Sequence, residues 1–137
     1  MTKEISTFEA KCKNCGGIFA HPSLSDFSYG EAIFYTDDGK YQVMVNAFAE
    51  FPQKIASLVT SKKPDAFWHA LAALADPVHG KPLTIEIPCP SCCSTELEYW
   101  AGNRIDSITL PDISFVKAST LGIAEIKNIL SVAGLNA

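Results

Sequence analysis

The chain of 137 residues contains no apolar run of membrane-spanning length, no block of Lys or Arg, no low-complexity tract and no Gly-rich phosphate loop. The first absence excludes a transmembrane helix. The second removes the basic footprint of a nucleic-acid or anionic-membrane binder, so no nucleic acid is expected as partner. The last removes the backbone cradle that P-loop nucleotide chemistry needs. Met1 to Ala10 is polar and mixed in charge, without the apolar core of a signal peptide, which predicts a cytoplasmic protein. The formal net charge of −4 favours basic or neutral partners. Only three histidines occur, all isolated in sequence, and no Ser-His-Asp arrangement follows from their spacing.

An apolar content of 47% is enough for a core without disulfides, and the length suits a single domain over 1–137. The five cysteines fall in two tight clusters, which in a reducing compartment read as metal ligands rather than disulfides. They form two CxxC units, Cys12-Lys-Asn-Cys15 and Cys89-Pro-Ser-Cys92, about seventy residues apart. A CxxC turn can aim two sulfurs at one ion about 2.3 Å away, and two such turns complete a tetrahedron, so Cys12, Cys15, Cys89 and Cys92 are the expected ligands of Zn2+. The separation is no obstacle, because each doubling of loop length costs only about 0.6 kcal/mol while structural zinc supplies about 10–16 kcal/mol in small peptides. Four thiolates around Zn2+ leave about two negative charges, which Lys11 and Lys13 beside the first pair would offset. A site with four sulfurs is coordinatively full, and this one reads as structural.

These two knuckles resemble a zinc ribbon, the family in which two CxxC turns grip one metal. Cys12 to Gly16 and Cys89-Pro90-Ser91-Cys92, flanking a long middle segment, are also similar to the CpXC-type bacterial proteins. The chain departs from the common pattern at Lys13, where proline is frequent, and at Cys93, where glycine is usual. The resemblance covers the knuckles and their flanking strands, and it implies a structural metal with interaction surfaces and no particular reaction.

The remaining pattern predicts an α+β fold: a zinc-ribbon part over about 4–20 and 83–112, an inserted hairpin with two helices over about 21–82, and a C-terminal helix over about 118–134. Strands are expected at Glu4–Lys11 and Ile18–Phe19, with Gly16 and Gly17 allowing positive φ behind the first knuckle. Glu31–Thr36 and Tyr41–Ala47 read as a hairpin around a type I′ Asp38-Gly39 turn. The period then changes: one helix starts at Pro52 with Ile55, Leu58 and Val59, and another spans Pro64–Ala75 with Phe67, Leu71 and Leu74. Val78 to Lys81 is expected as a loop. A strand Leu83–Ile87 should feed the second knuckle, and Thr95–Trp100 with Arg104–Leu110 should pair around Gly102-Asn103, with a bulge near Asp106. Ser119–Ala133 reads as a helix with Ile123, Ile126, Leu130 and Ala133 on one stripe, weakened at Gly122 and stopped by Gly134.

Other candidates are weaker. Cys93 invites a thiol-nucleophile reading with His79 or His69 as base, and it could exchange with Cys92 as ligand. His21 is a substitute metal ligand. Glu96 and Glu98 share a strand face that reads as solvated, and Asp37 and Asp38 read as turn formers. Phe27, Tyr29, Phe34, Tyr35, Tyr41, Phe48, Phe51, Phe67 and Trp68 crowd the insertion, as core or as a docking patch. The leading functional expectation is a non-catalytic, zinc-stabilised protein that recognises a basic protein partner, in one form an immunity or inhibitor protein. The alternatives are an enzyme acting through Cys93 and a transcription-linked zinc ribbon. A homodimer through the apolar C-terminal helix is a further assembly the sequence allows.

Overall fold

The computed structural model describes residues 2–24 and 30–135, with Thr2 and Lys3 as backbone only, so the aromatic candidates Phe27 and Tyr29 lie outside the described residues. In chain order the elements are β1 (Thr2–Cys12), β2 (Ile18–Pro22), β3 (Glu31–Thr36), β4 (Gln42–Asn46), α1 (Glu50–Ala56), α2 (Ala66–Leu74), β5 (Leu83–Thr84), β6 (Leu97–Tyr99), β7 (Arg104–Pro111), α3 (Val116–Ser119) and α4 (Ile123–Val132). The result is α+β, with two antiparallel sheets and helices on one side.

The first sheet is organised by β1. One edge carries β2 in register from Lys11↔Ile18 to Thr7↔Pro22. The other edge carries β7 along Thr2–Phe8 and β6 at Lys11 and Cys12. β6 and β7 therefore run end to end along the same strand and do not form the expected hairpin. The reason is that β1 offers a long edge whose ladder continues through the predicted turn: Glu9 N–H donates to Asn103 O at 2.9 Å, and Gly102 N–H donates to Glu9 O at 2.9 Å. Gly102-Asn103 is an irregularity within one paired edge. A register shift separates Thr7↔Asp106 from Phe8↔Arg104, which leaves Ile105 as the extra, exposed residue, so the bulge expected near Asp106 is present.

The second sheet has the order β4-β3-β5. The β3–β4 hairpin forms in the register Glu31↔Asn46 to Tyr35↔Gln42, but its turn is not type I′. That turn needs positive φ at both central residues, whereas the described non-glycine residues with positive φ are Asp65, His79 and Cys93. Instead Gly39 N–H closes on Thr36 O at 2.8 Å and Thr36 N–H bonds Tyr41 O, giving a longer loop over residues 37–40. The type I′ pair lies elsewhere: Val78 and Lys81 exchange both backbone bonds at 2.9 Å around His79 and Gly80, at φ 50° and 76°, where the sequence predicted only a loop. The strand expected over Leu83–Ile87 shortens to β5 and pairs with β3, at Thr36↔Leu83 and Tyr35↔Thr84. It ends because the Thr84 hydroxyl takes the Glu86 N–H at 3.2 Å and turns the chain away.

Alternation along the hairpin decides the layers. Phe34, Val43 and Val45 face the helices and pack with Ile55, Ala70, Leu71, Ile126 and Leu130 in the main core. Ile33 and Met44 face the first sheet and meet Ile5, Ile108 and Leu110. Each fully buried Leu or Ile here stabilises the fold by about 1.5–3 kcal/mol. Phe34 and Trp68 meet edge to face at 6.3 Å, and Phe51 stacks on Phe115 at 4.8 Å, so these aromatics belong to the packing. Phe48 is 57% exposed.

Helix limits differ from the periodicity. α1 begins at Glu50 and includes Pro52 in its first turn, while Leu58 and Val59 lie past its end. Pro64 precedes the α2 cap, Asp65, instead of starting the helix. The C-terminal helix is broken into α3 and α4, because Gly122 adopts extended φ, ψ of −76° and 164° as the α4 cap. The expected stripe is accordingly reduced to Ile126 and Leu130, with Ile123 53% exposed. Gly134 ends α4 as expected, with Leu135 N–H bonded to Leu130 O at 2.8 Å. Among the described residues no helix is long and apolar enough to cross a membrane.

Candidate metal centre

Each knuckle is a tight turn, the first at the end of β1 and the second in the connection between β5 and β6, and the two turns share one backbone plan. In the first, Cys12 N–H bonds Gly17 O at 2.9 Å and Gly16 N–H bonds Cys12 O at 3.0 Å. In the second, Cys89 N–H bonds Ser94 O and Cys93 N–H bonds Cys89 O, both at 2.8 Å. Gly16 and Cys93 occupy the same seat and both take positive φ, 73° and 65°. Glycine enters that region freely, and any other residue does so at a cost of about 1–2 kcal/mol.

The plan brings Cys12, Cys15, Cys89 and Cys92 together, with all four sulfurs within 4.8 Å of one another. The cross-knuckle pairs lie at 3.5 Å for Cys12 and Cys92 and 3.7 Å for Cys15 and Cys89. A tetrahedron with metal–sulfur bonds of 2.3 Å has edges of about 3.8 Å, so the spacing suits one metal ion. Cys12 and Cys89 are buried, whereas Cys15 is exposed and Cys92 partly so. The sulfurs also receive backbone donors: Cys15 N–H reaches Cys12 Sγ at 3.5 Å, Gly17 N–H reaches Cys15 Sγ at 3.4 Å, and Ser91 N–H reaches Cys89 Sγ at 3.4 Å. Such donors lower the cost of negative sulfur.

Without a cation the charge divides unevenly. The Ser94 N–H, followed by the Asn14 side-chain amide at 3.6 Å, pulls Cys92 down to about 6. For Cys15 the Gly17 N–H acts in the same direction, but the Cys89 and Cys92 sulfurs outweigh it and the thiol rises to about 11.

The remaining candidates lie apart from this cluster. Cys93 is exposed and contributes no sulfur to it, and no hydrogen bond joins it to His69 or His79. His79 stacks on Tyr41 at 4.1 Å instead. His21 is buried, its ring nitrogens against the carbonyls of Pro22, at 3.1 Å, and Trp100, so it is occupied in joining strands. Tyr35, whose hydroxyl donates to Pro22 O at 3.0 Å, seals this spot, and burial pushes its phenol up. Lys11 pairs with Glu98 at 3.2 Å, and that ion pair is solvated as the strand pattern of Glu96 and Glu98 implied. Asp38 caps its own turn, accepting from Thr36 Oγ1 at 2.6 Å and Lys40 N–H at 3.1 Å.

The β3–β4 turn rests on the second knuckle: a Cβ on Gly39 would stand 2.3 Å from Pro88 O. Gly39 was legible as a turn residue, but nothing in the pattern indicated which backbone it would touch.

Compared with protein-family models, curated proteins and solved structures, the chain matches none.

Proposed function

We propose that the four-cysteine cluster is a structural Zn2+ site of zinc-ribbon type and that the protein is a non-catalytic recognition module for a basic protein partner. The observation that carries the proposal is the convergence of all four sulfurs from two matching knuckles. Four soft thiolates favour zinc over the oxygen-seeking Mg2+ and Ca2+, and they complete its tetrahedral shell. The module reading draws support from a cleft of about 580 Å³ beside the end of β4, with Met44, Phe51, Ile113 and Phe115 in its wall. Among the described residues no Lys or Arg lines it. An apolar cleft in a chain of net charge −4 complements a basic segment with an apolar stem, such as a Lys or Arg side chain. An inhibitor or immunity protein for a basic enzyme is the narrowest form of this reading.

Native mass spectrometry of protein prepared without chelator is the test. One zinc per chain is expected, with loss of metal from each of the four Cys→Ser variants, and less than about half an equivalent in the parent protein overturns the zinc assignment. Partners retained by the tagged protein should be net basic and released by added salt. Retention of acidic proteins or of nucleic acid overturns the recognition half.

A further inference from the structure

We infer that Gly39 positions the second knuckle, so that metal loading and the order of the β3–β4 hairpin form one linked equilibrium. The inference rests on the zinc assignment and adds a regulatory property to it. The two knuckles are supported differently. The first lies inside the β1–β2 hairpin and is held by that ladder. The second is entered through residues 85–88, which belong to no strand. What meets that entry is the β3–β4 turn, since a Cβ on Gly39 would lie 2.3 Å from Pro88 O, 3.1 Å from Pro88 C and 3.3 Å from Pro90 N. Backbone lies against backbone there, one residue before the buried Cys89, and no flexible side chain intervenes to absorb a shift.

The turn is itself fixed. Thr36 Oγ1 donates to Asp38 Oδ1 and receives the Tyr41 N–H at 3.1 Å, while Asp37 N–H bonds Pro82 O at 3.1 Å just before β5. The chain leading to Cys89 is therefore held by β3 at Thr36↔Leu83 and by Gly39 at Pro88. If the hairpin holds Cys89 where zinc can use it, zinc must in turn stabilise the hairpin by the same factor. The hairpin supplies Glu31, Met44, Val45 and Asn46 to the cleft, so the recognition face would be firm in loaded protein and loosened in apoprotein.

The test compares Gly39→Ala with Gly80→Ala in the full chain. Both glycines have positive φ, 72° and 76°, and so carry the same conformational penalty on substitution, but a Cβ at Gly80 meets nothing within 4 Å. Zinc affinity is measured by competition with a chromogenic chelator, and ligand geometry by the thiolate-to-Co2+ charge-transfer absorption. Gly39→Ala should weaken zinc by about tenfold or more and diminish the Co2+ band, while Gly80→Ala should stay within about twofold of the parent. Amide exchange of the parent protein adds a readout that needs no variant: chelation should accelerate exchange at Gly39, Tyr41 and Val43. Equal affinities for the two variants, or hairpin exchange indifferent to zinc, overturn the inference. A parent protein that takes up no zinc overturns the assignment beneath it, and the two failures are distinguishable.

Discussion

Cys93 stands in the seat that Gly16 holds in the first knuckle, at φ 65°. The cost of that conformation is steric and local, so Cys93→Gly should raise stability by about 1 kcal/mol in urea unfolding without altering metal content. A loss of bound zinc in that variant would show that the sulfur serves the metal after all. The comparison explains what could be read at the level of single residues. Spacing sufficed to select the four converging cysteines, because a CxxC turn is a local object whose geometry its own residues dictate. Positive φ was expected only at the glycines behind the first knuckle, and Cys93 repeats that backbone seat in the second. Gly39 was different: its contact with Pro88 depends on a neighbour about fifty residues away, and no local pattern encodes that partner.

Among the elements, α3 is the shortest helix and the one most dependent on a distant residue. Asp76, just beyond α2, accepts from Ser114 Oγ at 2.6 Å, Val116 N–H at 2.8 Å and Lys117 N–H at 3.1 Å, and so caps α3 across the chain. The Ser114 hydroxyl bond, opposed by desolvation and joined by the Lys117 and Val116 N–H donors, holds the carboxyl below its usual range. A carboxylate with a depressed folded pKa contributes stability that is present above its unfolded value, near pH 4, and is lost as pH falls through the folded value. Asp76→Ala should therefore cost about 1–2 kcal/mol at neutral pH, a typical value for a lost cap, and the difference from the parent protein should vanish in acid. Equal stability of the two at pH 7 by thermal melting would refute this. The sequence pattern ended the second helix at Ala75 and gave Asp76 no role as the cap of another. Element type was legible wherever periodicity was strong, as in β3, β4 and α2. It failed where a partner edge decided the outcome: β1 took both β6 and β7 on one edge, and β3 captured β5.

For the whole molecule the layer order matters most: knuckle sheet, hairpin sheet, helices. It arises because the hairpin alternates apolar residues on both faces, Phe34 and Val43 toward the helices, Ile33 and Met44 toward the first sheet, and therefore must lie in the middle. The hairpin thus joins the helical core to the knuckles. The two knuckles lie on opposite sides of the connection between α1 and α2, with Cys12 and Cys15 before it and Cys89 and Cys92 after it. Bound zinc would make the intervening chain a closed ring, and a ring can be cut once without coming apart. Cleaved in the exposed Lys62-Lys63 stretch, the chain becomes two fragments with one CxxC each, neither able to complete a tetrahedron alone. Mixed with zinc, the fragments should co-elute as one species in gel filtration and separate on chelation, and co-elution that ignores the chelator would mean that packing alone holds them. Zinc would then act as a removable fastener between two half-proteins, each meaningless to the metal without the other.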